Sequence, residues 1–176
     1  MGYNPRKERE FSMNRNRIIA CVFLLILSVP AFAFEVDEFK SGMDHEKIKE
    51  LLKGWNFDKV QEFSKDTLIA YDLGTKGTNR QITFNFCNDK LVGIEQEIKP
   101  SLKHFITVVS NFNAKYGQPS KVEADNNVIS TGEKNTMALF WRKGLDTIGI
   151  RLLLLSSNDQ ILLSHQVPNN CGPTLR

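Results

Sequence analysis

The fold is decided by the stretch Gln81-Ile82-Thr83-Phe84-Asn85-Phe86-Cys87, in which Ile82, Phe84 and Phe86 alternate with polar residues. A period of two places the three apolar side chains on one face of a strand, so this stretch predicts a half-buried strand. Asn88-Asp89 is typical of a tight turn. Residues 90–98 are therefore predicted to return as its hairpin partner, with Val92, Ile94 and Ile98 facing inward.

The residues on either side of this hairpin predict two helices. Ser41 and Asp44 suit the start of a helix over about 44–54, whose apolar stripe is Ile48, Leu51, Leu52 and Trp55. A second helix is predicted to begin at Ser101 and to end at Gly117 and Pro119. The remaining strands are predicted at 67–72, 121–124, 136–142, 147–154 and 160–166.

The predicted element order is α-β-β-β followed by α-β-β-β-β. Short turns between strands require antiparallel pairing, which excludes a Rossmann-like parallel sheet for these pairs. We therefore expect an α+β fold with two helices packed on one face of an antiparallel sheet. The order also suggests a duplicated α-β-β-β unit.

The N-terminal segment has the organisation of a secretory signal peptide. A basic region at 13–17 precedes an apolar run from Ile18 to Val29, and Ala31-Phe32-Ala33 is a small-x-small cleavage motif. We expect residues 1–33 to be an N-terminal extension and signal peptide that is cleaved after Ala33, which leaves a periplasmic or secreted protein. The alternative is an inner-membrane anchor formed by an uncleaved Ile18–Val29 segment, although a spanning helix needs about 20 apolar residues.

The charge outside this leader is balanced. Five of the 23 Lys and Arg residues and two of the 20 Asp and Glu residues lie in residues 1–33, so residues 34–176 carry 18 of each. A neutral chain lacks the basic excess that is typical of nucleic-acid binding, and we expect no nucleic-acid partner. Residues 34–176 are predicted to form one globular domain, with an irregular tail from about 167 and no stable membrane insertion after cleavage.

Two of the three cysteines, Cys87 and Cys171, lie outside the leader. An even pair of cysteines in an oxidising compartment predicts a disulfide. This bond would pin a tail rich in Pro, Gly and Asn to the end of the central hairpin, where the tail could shield a sheet face that carries Leu153.

Three short motifs resemble small bacterial envelope domains of the SmpA/OmlA (BamE-like) type and the related β-lactamase-inhibitor repeats. They are Gly42-Met43-Asp44 at a helix start, the pair Phe84 and Phe86, and the helix exit from Lys115 to Pro119. The resemblance implies a binding or scaffolding module without catalytic residues. The outer-membrane members are lipoproteins, and this chain has no cysteine at the lipidation position.

No pattern in the sequence predicts catalytic chemistry, a cofactor or a metal. His45, His104 and His165 are far apart in sequence, whereas zinc ligands usually include a closely spaced pair. Glu95 and Glu97 share one strand face, which the alternation predicts to be solvated. Gly74–Thr78 lacks the spacing of a phosphate-binding loop. Four aromatic residues are predicted to be core rather than groove lining: Trp55, Phe57, Phe63 and Trp141.

These observations predict a non-catalytic, exported binding or scaffolding module of the bacterial cell envelope, whose partner is another envelope protein. One alternative is an inhibitor of a secreted or periplasmic enzyme, for which the segment Asp125 to Asn135 would be the protruding loop. A less favoured alternative is an envelope hydrolase whose site is assembled only by folding.

Overall fold

The computed structural model describes residues 33–73, 79–129, 132–156 and 158–172. The predicted leader, apart from Ala33, and the Gly74–Thr78 turn lie outside the described residues. Within them the chain forms ten strands and two helices. In chain order these are β1 (Glu35–Val36), β2 (Phe39–Lys40), α1 (His45–Leu52), β3 (Lys59–Ser64), β4 (Thr67–Leu73), β5 (Asn79–Cys87), β6 (Lys90–Ile98), α2 (Leu102–Tyr116), β7 (Lys121–Ile129), β8 (Gly132–Lys143), β9 (Asp146–Leu155) and β10 (Gln160–Gln166).

The predicted central hairpin is present as β5 and β6. Asn88 and Asp89 both have positive φ, at 51° and 63°, which is the conformation that a tight two-residue hairpin turn requires. Phe84 pairs with Ile94, and Ile82 pairs with Gln96. Because directly paired residues share a face, the apolar side chains of both strands lie on the same side of the sheet.

Eight of the strands form one antiparallel sheet in the order β3-β4-β5-β6-β10-β9-β8-β7. Each half is a four-stranded meander that follows one helix along the chain. The halves join where β6 pairs with β10, for example at Ile94 with His165 and at Ile98 with Ile161. A separate small hairpin, β1 with β2, precedes α1.

The predicted α+β class is wrong, because the described chain is mostly β. More than half of the described residues lie in strands, whereas the two helices span only 8 and 15 residues. The predicted α-β-β-β unit also has one strand too few, since β3 was not predicted. All six residues of β3 are exposed, so this edge strand lacks the apolar alternation that identified the others.

Two apolar clusters lie on the same face of the sheet, which we call the helix side. The first includes Ile48 and Leu52 of α1, together with Phe84 and Ile94 of the sheet. The second includes Phe105 of α2, and its largest fully buried side chain is Trp141. The Trp141 Nε1–H donates to the Gly117 carbonyl oxygen over 2.9 Å, which fixes the end of α2 on β8.

The tail after β10 is held by both a hydrogen bond and a disulfide. The Val167 N–H donates to the Val92 carbonyl oxygen over 2.9 Å. Cys87 and Cys171 form the predicted disulfide, and their Cα atoms are 5.7 Å apart. The expectation that this tail shields Leu153 is wrong, because Leu153 pairs with Gln160 at the opposite end of β10.

Candidate functional site

The face of the sheet opposite the helices, here called the open face, carries mainly polar side chains. Strand alternation places Glu95 and Glu97 of β6 on this face, as predicted, because Ile94 and Ile98 point to the helix side. One cross-strand row runs Glu123, Ala138, Arg151, Leu162 and Glu97. The open face therefore mixes both signs of charge with small and apolar residues.

Two adjoining depressions lie on the open face over β7, β8 and β9. The first has a volume of about 700 Å³ and is lined by Lys121, Phe140, Arg142 and other residues. The second has a volume of about 580 Å³ and includes Thr136 and Leu153. Glu123 and Arg151 line both of them. Together they form one concave surface of a size that admits side chains of a partner.

The floor of the first depression depends on Gly149. A Cβ atom at this position would lie 2.6 Å from Ser164 Oγ and 3.2 Å from two ring carbons of Phe140. The absence of a side chain lets the Phe140 ring lie against the β9 backbone. Phe140 therefore shares the open face with Arg142 of its own strand and with Arg151 of β9.

The partly buried carboxyl group of Glu95 is electrostatically perturbed. Burial raises the pKa of Glu95 above its usual range, the Arg151 charge lowers it, and the neighbouring Glu97 raises it. Burial is the largest of these effects and the net direction is upward. Glu95 and Glu97 are therefore not the freely solvated pair that the sequence predicts, because Glu95 is partly desolvated.

The three histidines lie in different environments. His45 packs edge-on against Phe86 with ring centroids 4.6 Å apart, and His104 is exposed in the first turn of α2. His165 Nδ1 lies 3.2 Å from Asp146 Oδ2 on the helix side. Within the described ranges, no three or more His, Cys, Asp or Glu side chains are grouped so that they could hold a metal ion.

The aromatic residues considered as groove lining separate into two groups. Trp141 is fully buried in the second cluster, and Trp55 and Phe57 stack at 6.2 Å with the Arg80 guanidinium 4.9 Å from the Trp55 ring. Phe63 is exposed on β3, so the prediction that it is core is wrong. The sequence missed Phe140, Arg142 and Arg151, whose common location depends on the register of β8 with β9.

The segment Asp125 to Asn135 is not a protruding loop in its described part. Residues 125–129 belong to β7 and residues 132–135 to β8, and the two strands pair without interruption. Asn126 of one strand is hydrogen-bonded to Asn135 of the other. In its described part the expected loop is therefore two regularly paired strands, and residues 130–131 lie outside that part.

These features define a mostly β protein whose eight-stranded sheet has one face packed against helices and one concave polar face. A family model for the TP0088 domain matches residues 34–142. The match covers more than half of the chain, and the chain belongs to this family. No curated protein and no solved structure matches the chain. The resemblance to SmpA/OmlA domains stays a prediction. Neither helix that the structure describes has the length and hydropathy needed to cross a membrane.

Proposed function

We propose that this protein is an exported, non-catalytic binding module of the bacterial cell envelope that holds another envelope protein against its open face. The observation that carries this proposal is the pair of adjoining depressions on the open face of the sheet. Phe140, Arg142 and Arg151 line the first depression, and aromatic and Arg side chains are enriched at the energetic centres of protein interfaces.

Export is supported by the predicted leader and by the disulfide. Structural disulfides persist mainly in oxidising compartments, such as the periplasm. A chain that is cleaved after Ala33 would begin at Phe34. Intact-mass measurement of the protein from an envelope fraction tests this expectation, and retention of Ile18–Val29 in the accumulated form would instead support an inner-membrane anchor.

A binding role is supported by the residues of the depressions themselves. The described residues that line the depressions include neither a histidine nor a cysteine, and His165 with Asp146 lies on the opposite face of the sheet. A polar surface that combines Lys121 and Arg142 with Glu123 suits a partner that presents both acidic and basic side chains.

The decisive experiment is site-specific photo-crosslinking in intact cells. A photo-reactive residue at Thr147, which lines the first depression, is expected to give a defined adduct, whereas the same residue at Lys103 on α2 is not. Arg142→Glu should abolish the adduct because it reverses a charge in the depression. Lys103→Glu is the matched control, since this exposed residue lies on α2, away from the open face.

The proposal fails if Thr147 gives no adduct while the protein is folded and abundant. It also fails if Arg142→Glu and Lys103→Glu reduce the adduct equally. Turnover of a substrate that one point substitution in the depressions abolishes would replace the binding role with catalysis.

A further inference from the structure

The two edges of the sheet differ in how they are protected. β3 spans six residues, its pairing with β4 shifts between Glu62 and Ser64, and Glu62 forms an ion pair with Lys49 of α1. β7 spans nine residues, which pair in unbroken register with β8. Proteins usually shorten, bend or cover edge strands, because their unpaired backbone groups accept another strand. β3 is short, irregular and linked to α1, whereas β7 is longer and regularly paired and is protected only by its charged side chains.

The side chains of β7 define what strand the edge accepts. Val122 and Val128 lie on the helix side and are 56% and 82% exposed. Ala124 and Asn126 lie between them on that side, whereas Glu123, Asp125 and Asn127 lie on the open face. An added strand must therefore bring apolar groups to the helix side and no second carboxylate opposite Glu123 or Asp125.

We propose that this strand is β7 of a second copy of the chain, paired antiparallel about a two-fold axis that passes through Asn126. This interface adjoins the partner site proposed for the open face, because Glu123, Asp125 and Asn127 of β7 also line the second depression. A two-fold axis perpendicular to the sheet makes one residue face its own copy, so each choice of axis gives one register.

The neighbouring registers are unfavourable. An axis at Asp125 opposes two identical carboxylates, and an axis at Ala124 opposes Glu123 to Asp125 of the second copy. Like charges that face each other across strands are destabilising. An axis at Asn127 places the Asn126 amide against a valine side chain.

An axis at Asn126 avoids these conflicts. It places Asp125 opposite Asn127 of the second copy, and the Asn127 amide already donates to Asp125 within one chain. On the helix side, Val128 of the second copy lies directly across from Ala124 and diagonally from Val122. Both exposed valines then become covered, and this occurs twice because of the symmetry.

Sedimentation of the purified protein, in the form that the cell accumulates, tests the dimer. We expect dimers at micromolar concentration, and Val128→Lys should raise the dimer dissociation constant at least about tenfold, since it places a charge in the apolar part of the seam. Thr107→Lys on the exposed surface of α2 is the matched control. A protein that remains monomeric to about 100 µM would overturn the proposal, because cellular dimers rarely need weaker association.

Cysteine crosslinking tests the register. Under mild oxidation Asn126→Cys should form a covalent dimer, because paired Cβ atoms across strands lie about 4.5–5.5 Å apart. Ala124→Cys alone should not, whereas Ala124→Cys together with Val128→Cys should. Crosslinking by Ala124→Cys alone, or only to a different protein at Asn126→Cys, would overturn the proposal.

Discussion

His165 Nδ1 lies 3.2 Å from Asp146 Oδ2, and this contact joins the last strand of the sheet to the first residue of β9. Asp146 is only 3% exposed, and its Oδ1 atom has no hydrogen-bond partner among the described residues. The histidine is therefore the group that compensates the burial of this carboxylate.

His165→Ala should destabilise the fold because it leaves the Asp146 carboxylate buried without its partner. The expected loss is about 1–3 kcal/mol in the free energy of unfolding, the usual cost of an unsatisfied buried polar group. Urea unfolding measures it. In the double variant with Asp146→Ala, the two effects should be clearly non-additive. Additive losses would show that the contact does not couple the two residues.

Gly149→Ala should destabilise the sheet, since its Cβ would overlap Ser164 Oγ and crowd the Phe140 ring. Overpacking of this kind costs about 1–3 kcal/mol. Gly54→Ala is the control, because the nearest atom to its Cβ would be at an ordinary contact distance of 3.4 Å. In thermal unfolding, only Gly149→Ala should have a lower midpoint than the unsubstituted protein. Equal shifts in both variants would contradict the packing argument.

The pH dependence of stability should include a contribution from Glu95. Because its pKa is raised in the folded state, the folded protein binds this proton more tightly than the unfolded chain does. Stability from this group is therefore present at low pH and is lost as the pH rises from the ordinary glutamate range through the folded pKa. Glu95→Gln should weaken this loss in urea unfolding at a series of pH values. If Glu95→Gln leaves the pH dependence of the free energy of unfolding unchanged between about pH 4 and 7, the assignment is contradicted.

Removal of the disulfide should lower stability strongly, since Cys87 and Cys171 are 84 residues apart in sequence. The chain-entropy account assigns roughly 4–5 kcal/mol to a loop of this length. Mass spectrometry of the purified protein should show a gain of two hydrogen atoms on reduction, and Cys87→Ser with Cys171→Ser should lower the thermal midpoint. Two alkylatable thiols in the denatured, unreduced protein would disprove the bond.

The parts of the fold that the sequence predicts well are those with local chemical signals. The alternation around Phe84 and the Asn88-Asp89 turn predict the central hairpin, and Ser101 with Gly117 predicts the ends of α2, where Ser101 Oγ accepts from the His104 N–H. β3 escapes prediction because an edge strand that buries no side chain has no apolar period. The fold class was wrong largely because the strands are more numerous and longer than their apolar cores indicate.

The candidate site could not be predicted from sequence spacing. Arg142 and Arg151 line one depression only because β8 pairs with β9 in a register that places Phe140 opposite Gly149. No local signal in the sequence gives this register. Gly149, a glycine within an otherwise apolar strand, indicates that some group approaches β9 closely at this position, but not which residue does so.

The pairing of β6 with β10 has a consequence for how the molecule is made. β6 is the last strand of the first half, and its partner β10 follows it only after α2 and three further strands, so the sheet cannot close until β10 has been made. Until then β6 remains an open edge bearing Ile94 and Ile98, which is a hazard for aggregation during synthesis. A truncation that removes only β10 would thus expose an edge in both halves of the sheet, at β6 and at β9.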